Sequence, residues 1–224
     1  MSKPEKTPDE TIGVLINDKI RVYGEDWTYF FDNGYYGTKA DGFLELTFEE
    51  SLLLMERGKI RIFGPVEEFF PSDDPIQAIK QLPEFDSSSF VQLITKQSHT
   101  FWGRYVVYKD LRGRGYVVRE GFGQNAPYRR YPRGTKANSA SSNTLVYPFS
   151  EGNSLELFEL EQIVRQARSN RKTLILGIVD RSGDVTYYKA SEFDVPFNNE
   201  IYEWMDQEKV ESGSEKEPEE SEDE

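Results

Sequence analysis

Residues 101–122 read FWGRYVVYKDLRGRGYVVREGF, and residues 128–134 follow as YRRYPRG. Phe101, Tyr105 and Leu111 recur at roughly helical spacing, as do Phe90, Leu93 and Ile94 before them, so residues 87–112 are expected to be helical. Gly113 and Gly115 close that run, because glycine accepts the left-handed backbone that ends helices. Aromatic and β-branched residues then dominate, which predicts strands at 116–122, 128–131 and 144–149. Ser154 can cap a further helix carrying Leu155, Phe158, Val164 and Ala167. Residues 173–179 read as a buried strand, and Ser182-Gly183 turns it back into 184–190 as a hairpin.

The N-terminal side carries its own signals. Residues 12–44 are rich in aromatic and β-branched residues, punctuated by Asn33-Gly34 and Gly37, and predict short strands with a hairpin. Thr47 and Glu50 form a capping box ahead of Leu52, Leu53, Leu54 and Met55, with Gly58 closing the helix and residues 59–63 (KIRIF) forming a strand. Pro65, Pro71, Pro75 and Pro83, with Asp73 and Asp74, mark a boundary that includes a short helix at 76–82. The expected fold class is α+β, with two small mixed α/β domains. A disordered N-terminus at 1–10 precedes a domain at 11–70, a linker at 71–86, a domain at 87–200 and a disordered acidic tail at 201–224.

Composition narrows the chemistry. The chain has 224 residues, 40 acidic and 27 basic, with one histidine and no cysteine. Disulfides, thiolate nucleophiles and Cys-ligated metals are therefore excluded, as are a multi-His metal centre within one chain and a paired-histidine acid/base scheme. No apolar run approaches the ~18–20 residues of a membrane span, and MSKPEKTPDE is no signal peptide, so a soluble cytoplasmic protein is expected. The net charge of -13 argues at first against a nucleic-acid partner.

The distribution of that charge reverses the argument. Residues 101–150 hold 9 basic and 2 acidic residues, a local +7, whereas residues 201–224 hold 11 acidic and 2 basic. Within the basic block, Arg112, Arg114, Arg119, Arg129, Arg130 and Arg133 interleave with Tyr108, Tyr116, Phe122, Tyr128 and Tyr131. Arginines fork onto phosphates and aromatics stack on unpaired bases, so the pattern suits RNA or DNA as well as a plain basic surface. The tail is either a solubilising segment or a mimic of nucleic acid.

The stretch FWGRYVVYKDLRGRGYVVREGF, then YRRYPRG, TLV and RQARSNRKTLILGIVDRSGDVTYY, resembles the C-terminal catalytic domain of the archaeal tRNA-splicing endonucleases. Upstream, GYYGTKADGFLELTFEESLLLMERGKI resembles that family's N-terminal domain. The resemblance implies cleavage of precursor tRNA at both intron ends, within a bulge-helix-bulge RNA and without metal or cofactor. A 2′-hydroxyl attacks the neighbouring phosphate and leaves a 2′,3′-cyclic phosphate and a 5′-hydroxyl. The family uses a tyrosine as base, a histidine as acid and a lysine to stabilise the charge at phosphorus.

Carried over by motif, the tyrosine matches Tyr131 and the lysine Lys172. The histidine position is occupied by Ser141, and the only histidine, His99, matches no member of the triad. Serine does not titrate near neutrality, and losing a positioned acid costs about 10²–10⁴ in rate. The chain is therefore expected to be a structural subunit beside a catalytic one, with a self-sufficient enzyme of altered acid chemistry or a non-catalytic RNA-binding protein as the alternatives. The resemblance further implies a homo- or hetero-oligomer in which an acidic loop, here with Asp180 and Asp184, contacts a neighbouring subunit. Arg165 matches an arginine that sandwiches a flipped bulge base. Arg168 lies three residues on, sharing one side of a helix with it, and with Arg129, Arg130 and Arg133 completes the expected RNA-binding set.

Overall fold

The computed structural model describes residues 11–24, 27–67, 74–121, 128–134 and 141–192. The first ten residues, residues 193–200 and the acidic tail lie outside them.

The fully buried strand β1 (Ile12–Ile16) turns through Asn17, whose φ is +54°, into the antiparallel β2 (Lys19–Tyr23). Helix α1 (Trp27–Asp32) follows, then the hairpin of β3 (Thr38–Ala40) and β4 (Phe43–Leu46). Helix α2 (Phe48–Glu56) leads to β5 (Arg61–Val66), which runs parallel to β1. Helix α3 (Pro75–Ile79) and β6 (Glu84–Phe85) complete a six-stranded sheet of order β3-β4-β2-β1-β5-β6. After α4 (Ser87–Gln97) and α5 (Phe101–Gly113), the strands β7 (Val117–Glu120), β8 (Tyr128–Tyr131) and β9 (Thr144–Ser150) run antiparallel to one another. Helix α6 (Leu157–Ser169) crosses over to β10 (Thr173–Val179), parallel to β9, and β11 (Val185–Ala190) returns beside it. The second sheet has the order β11-β10-β9-β8-β7. The α+β class expected from sequence is thus present.

Local chemistry explains α2. The Thr47 hydroxyl accepts from the Glu50 N–H at 3.3 Å, and the Glu50 carboxylate accepts from the Thr47 N–H at 3.0 Å, so two orphan donors of the first turn are satisfied reciprocally. Three expectations need correction. Residues 27–32 are a helix, not part of a strand, because Trp27, Phe30 and Phe31 recur at helical spacing and pack together on the core. Residues 87–112 form two helices broken at Ser98–Thr100. The break lets Phe90 and Phe101 both meet the edge of Phe48, with ring centroids 6.2 and 6.4 Å from it. Helix α6 is preceded by Glu156 at the N-cap, without a side-chain cap bond, so Ser154 does not start it.

The largest buried cluster spans both sheets, while α3 and α6 pack in smaller clusters on the first and second sheet. Leu15, Leu44 and Leu53 from the N-terminal side cluster with Phe90, Tyr105, Val118 and Val146 from the C-terminal side. Helix α5 presses closely on the second sheet. A Cβ at Gly177 would lie 3.0 Å from a Val107 methyl, and one at Gly103 would lie 2.3 Å from the Ser150 hydroxyl.

Candidate active site

Strand register brings the carried-over residues to one end of the second sheet. Arg130 of β8 pairs with Thr144 of β9, and Thr144 pairs with Thr173 of β10. Tyr131 follows Arg130, residues 141–143 precede Thr144, and Lys172 precedes Thr173, so all three segments meet at that end. Neighbouring strands are ~4.8 Å apart, which puts the backbones of Tyr131 and Lys172 roughly 10 Å from each other with the 141–143 segment between them.

Each residue is held differently. Tyr131 ends β8, opposite Val117, and is buried. Lys172 follows a tight exit from α6, in which Arg171 takes φ +54° and the Lys172 N–H reaches the Ala167 carbonyl at 2.9 Å. Its ammonium donates to the Ser142 carbonyl and to the Ser142 hydroxyl, the latter at 3.2 Å. Ser142 is buried, whereas Ser141 is exposed at the surface. Sequence reasoning missed Ser142: nothing local distinguishes it from Ser141, and only the packing of two segments thirty residues apart reveals its duty.

His99 is far from this row. It sits between α4 and α5 and lines a cleft of about 1080 Å³ together with residues 147–150 of β9. Those residues are the far end of a seven-residue strand that starts at Thr144, and at ~3.3 Å per residue the two ends are roughly 20 Å apart. Within one chain, His99 is not placed to serve the Tyr131 end.

The basic block divides into two uses. Arg104 pairs with the buried Glu49 at 2.6 Å, and Lys109 pairs with Glu56 at 2.6 Å. Arg112 donates to the Gly34 carbonyl at 2.8 Å and lies over the Tyr36 ring, while Arg119 donates to the Gly37 carbonyl at 2.7 Å and lies over Phe31. These four cations join the C-terminal elements to the N-terminal ones. Their junction surrounds Glu50, whose carboxyl burial raises above the usual range despite N–H donors from Gly37 and Thr47 and the charges of Arg112 and Arg119.

The remaining arginines lie nearer the candidate site or on the surface. Arg129 donates to the Glu120 carbonyl at 2.7 Å, Arg130 donates to the Thr144 hydroxyl at 3.1 Å, and Arg133 is exposed. On α6, Arg165 pairs with Glu161 at 2.6 Å and Arg168 is exposed in the last turn. Asp180 uses its carboxylate inside its own turn, accepting from the Ser182 and Asp184 N–H groups at 2.8 and 2.9 Å, and Asp184 is exposed. No helix among the described residues is long and apolar enough to cross a membrane.

A family model described as the tRNA intron endonuclease catalytic C-terminal domain matches residues 101–187, and one described as the tRNA intron endonuclease N-terminal domain matches residues 11–70. A tRNA-splicing endonuclease of Methanococcus vannielii is 33% identical over 188 residues, covering 84% of this chain and 96% of that relative. One of Methanothermobacter thermautotrophicus is 30% identical over 154 residues, covering 69% and 80%. One of Methanococcoides burtonii is 34% identical over 176 residues, covering 78% of this chain but 44% of that longer relative.

Proposed function

The chain belongs to the tRNA intron endonuclease family, and on that premise we propose that it is a structural subunit of a tRNA-splicing endonuclease acting on precursor tRNA. One observation carries the structural role. The row that contains Tyr131 and Lys172 has Ser141 where the acid belongs, and the sole imidazole is at the opposite end of β9. Tyr131 is suited to take the proton of an attacking 2′-hydroxyl, and Lys172 to stabilise charge on the phosphorane-like transition state. Among the described residues of the row, none is suited to protonate the departing 5′-oxygen, and lacking that acid costs about 10²–10⁴ in rate. Arg129, Arg130, Arg133, Arg165 and Arg168 supply the RNA-facing charge, and the Asp180–Asp184 turn is the subunit contact within a homo- or hetero-oligomer.

The test is a cleavage assay on a bulge-helix-bulge RNA, with the purified chain alone and mixed with a family member carrying the full tyrosine, histidine and lysine set. Cleavage only in the mixture, with 2′,3′-cyclic phosphate ends, is the expected result. Robust cleavage by the chain alone overturns the structural role. The retained Tyr131 and Lys172 favour one second reading, a self-sufficient enzyme with another acid. In that case Lys172→Ala abolishes activity and His99→Ala reports whether a neighbouring copy supplies the proton.

A further inference from the structure

Tyr116 was a candidate face for an unpaired base, but its ring is already engaged. It immediately precedes β7, and because Val118 pairs with Arg130, Tyr116 and Arg130 share a face of the sheet by strand alternation. The Arg130 guanidinium carbon lies 4.6 Å from the Tyr116 ring centroid, and that of Arg133 lies 4.7 Å from it. Both are within cation–π range of one ring. The Thr144 hydroxyl fixes Arg130 further, and the Asn143 side-chain oxygen accepts from that hydroxyl at 3.0 Å.

Neither arginine makes an ion pair among the described residues. Asp110, at the nearby end of α5, already accepts from Arg114 at 2.7 Å and from the Tyr187 hydroxyl at 2.6 Å. Two like charges on one ring, with no carboxylate paired to either among the described residues, repel each other and leave a local positive site. A guanidinium is planar and forks onto phosphate oxygens, so the missing counter-charge fits a nucleic-acid backbone.

We infer that Tyr116 is a positioning residue for RNA, holding Arg130 and Arg133 as a paired guanidinium clamp for phosphates beside the Tyr131 end of the sheet. By strand alternation the clamp lies on the face opposite Tyr131, so it grips backbone that flanks the scissile position. The inference rests on the RNA-binding reading above and adds to it the residue that sets the clamp's geometry. Preorganised donors lose less freedom on binding than free ones, which is what the ring contributes.

The experiment measures binding of the full chain to a fluorescent bulge-helix-bulge RNA over a range of salt. The variants are Tyr116→Leu, Tyr116→Phe, Arg130→Gln with Arg133→Gln, and the triple combination, each with its folding checked by circular dichroism. Replacing both arginines should lower the slope of log K against log salt by roughly 1.5–2, one phosphate contact each. Tyr116→Leu should weaken binding by about three- to tenfold, whereas Tyr116→Phe restores it. In the background lacking both arginines, Tyr116→Leu should cost nothing more, which separates positioning from stacking on a base.

An equal loss from Tyr116→Leu in both backgrounds, or no loss in either, overturns the clamp while leaving RNA binding intact. Competition by polyglutamate as strong as by unlabelled RNA overturns it in favour of an acidic protein partner. A wild-type chain that binds no RNA overturns the parent reading and the clamp together.

Discussion

Lys172 and Ser141 are separated by a single residue's influence: Ser142 holds the lysine ammonium through its carbonyl and hydroxyl, and Ser141 next to it stands exposed at the surface. A side chain at position 141 therefore has room to reach solvent and substrate. On the proposed assignment of the site, Ser141→His is expected to raise single-turnover cleavage of bulge-helix-bulge RNA by at least about 10²-fold, because it adds a titratable acid beside Tyr131 and Lys172. Unchanged cleavage would mean that Tyr131 and Lys172 are packing residues here. Glu50 allows a second test. Burial raises its carboxyl pKa, so the folded chain holds that proton more tightly than the unfolded one. Its contribution to stability is complete below the ordinary carboxylate value and is lost as pH rises through the raised one. Urea unfolding followed from about pH 4, near the ordinary carboxylate value, upward should show Glu50→Gln gaining on the wild type as pH rises. A gap that is constant with pH, or that closes, refutes the assignment.

Elements were legible wherever their cause was local. The capping box of α2 lies within four residues, and the β10–β11 hairpin follows from Ser182-Gly183, with Gly183 at φ +89°. The break between α4 and α5 was not legible, because it answers to Phe48, about forty residues upstream of Phe90. Helix α1 was missed because aromatic residues at helical spacing also suit strands. The seam between α5 and β10 depends on a missing side chain. Gly177→Ala would place its Cβ 3.0 and 3.2 Å from the Val107 methyls and 3.3 Å from the Tyr187 ring. Overpacking of this kind costs about 1–3 kcal/mol, and Val107→Ala in the same chain should recover part of it. Thermal unfolding of the single and double variants checks both expectations; additive losses would show that the two positions do not touch.

At the scale of the molecule, one core links both sheets, and four cations of the basic block are spent on that junction. The local +7 therefore overstates the charge left for an anionic ligand. The arginines left near the sheet end are Arg129, Arg130 and Arg133, and screening over ~8–10 Å keeps distant carboxylates from cancelling their field. A shared core also predicts cooperative unfolding of residues 11–191. Leu53→Ala in α2 and Leu111→Ala in α5 are both buried in the same cluster and should each cost about 2–5 kcal/mol. Both should shift one common denaturant transition, followed by fluorescence and by circular dichroism; two separated transitions would mean that the halves unfold independently.

The sequence alone determined what depends on residue identity and short spacing: the α+β class, the family motifs and the absence of cysteine. It also located a local excess of positive charge at residues 101–150. Only the tertiary structure decided which of those charges remain for a ligand, because Arg104, Arg112 and Arg119 are consumed by partners fifty to eighty residues away. It likewise decided that His99 and Ser141 lie toward opposite ends of β9, and that the Tyr116 ring meets the guanidinium groups of Arg130 and Arg133. The reason is physical: strand register and core packing set which distant residues meet, and neither is encoded within a window of a few residues.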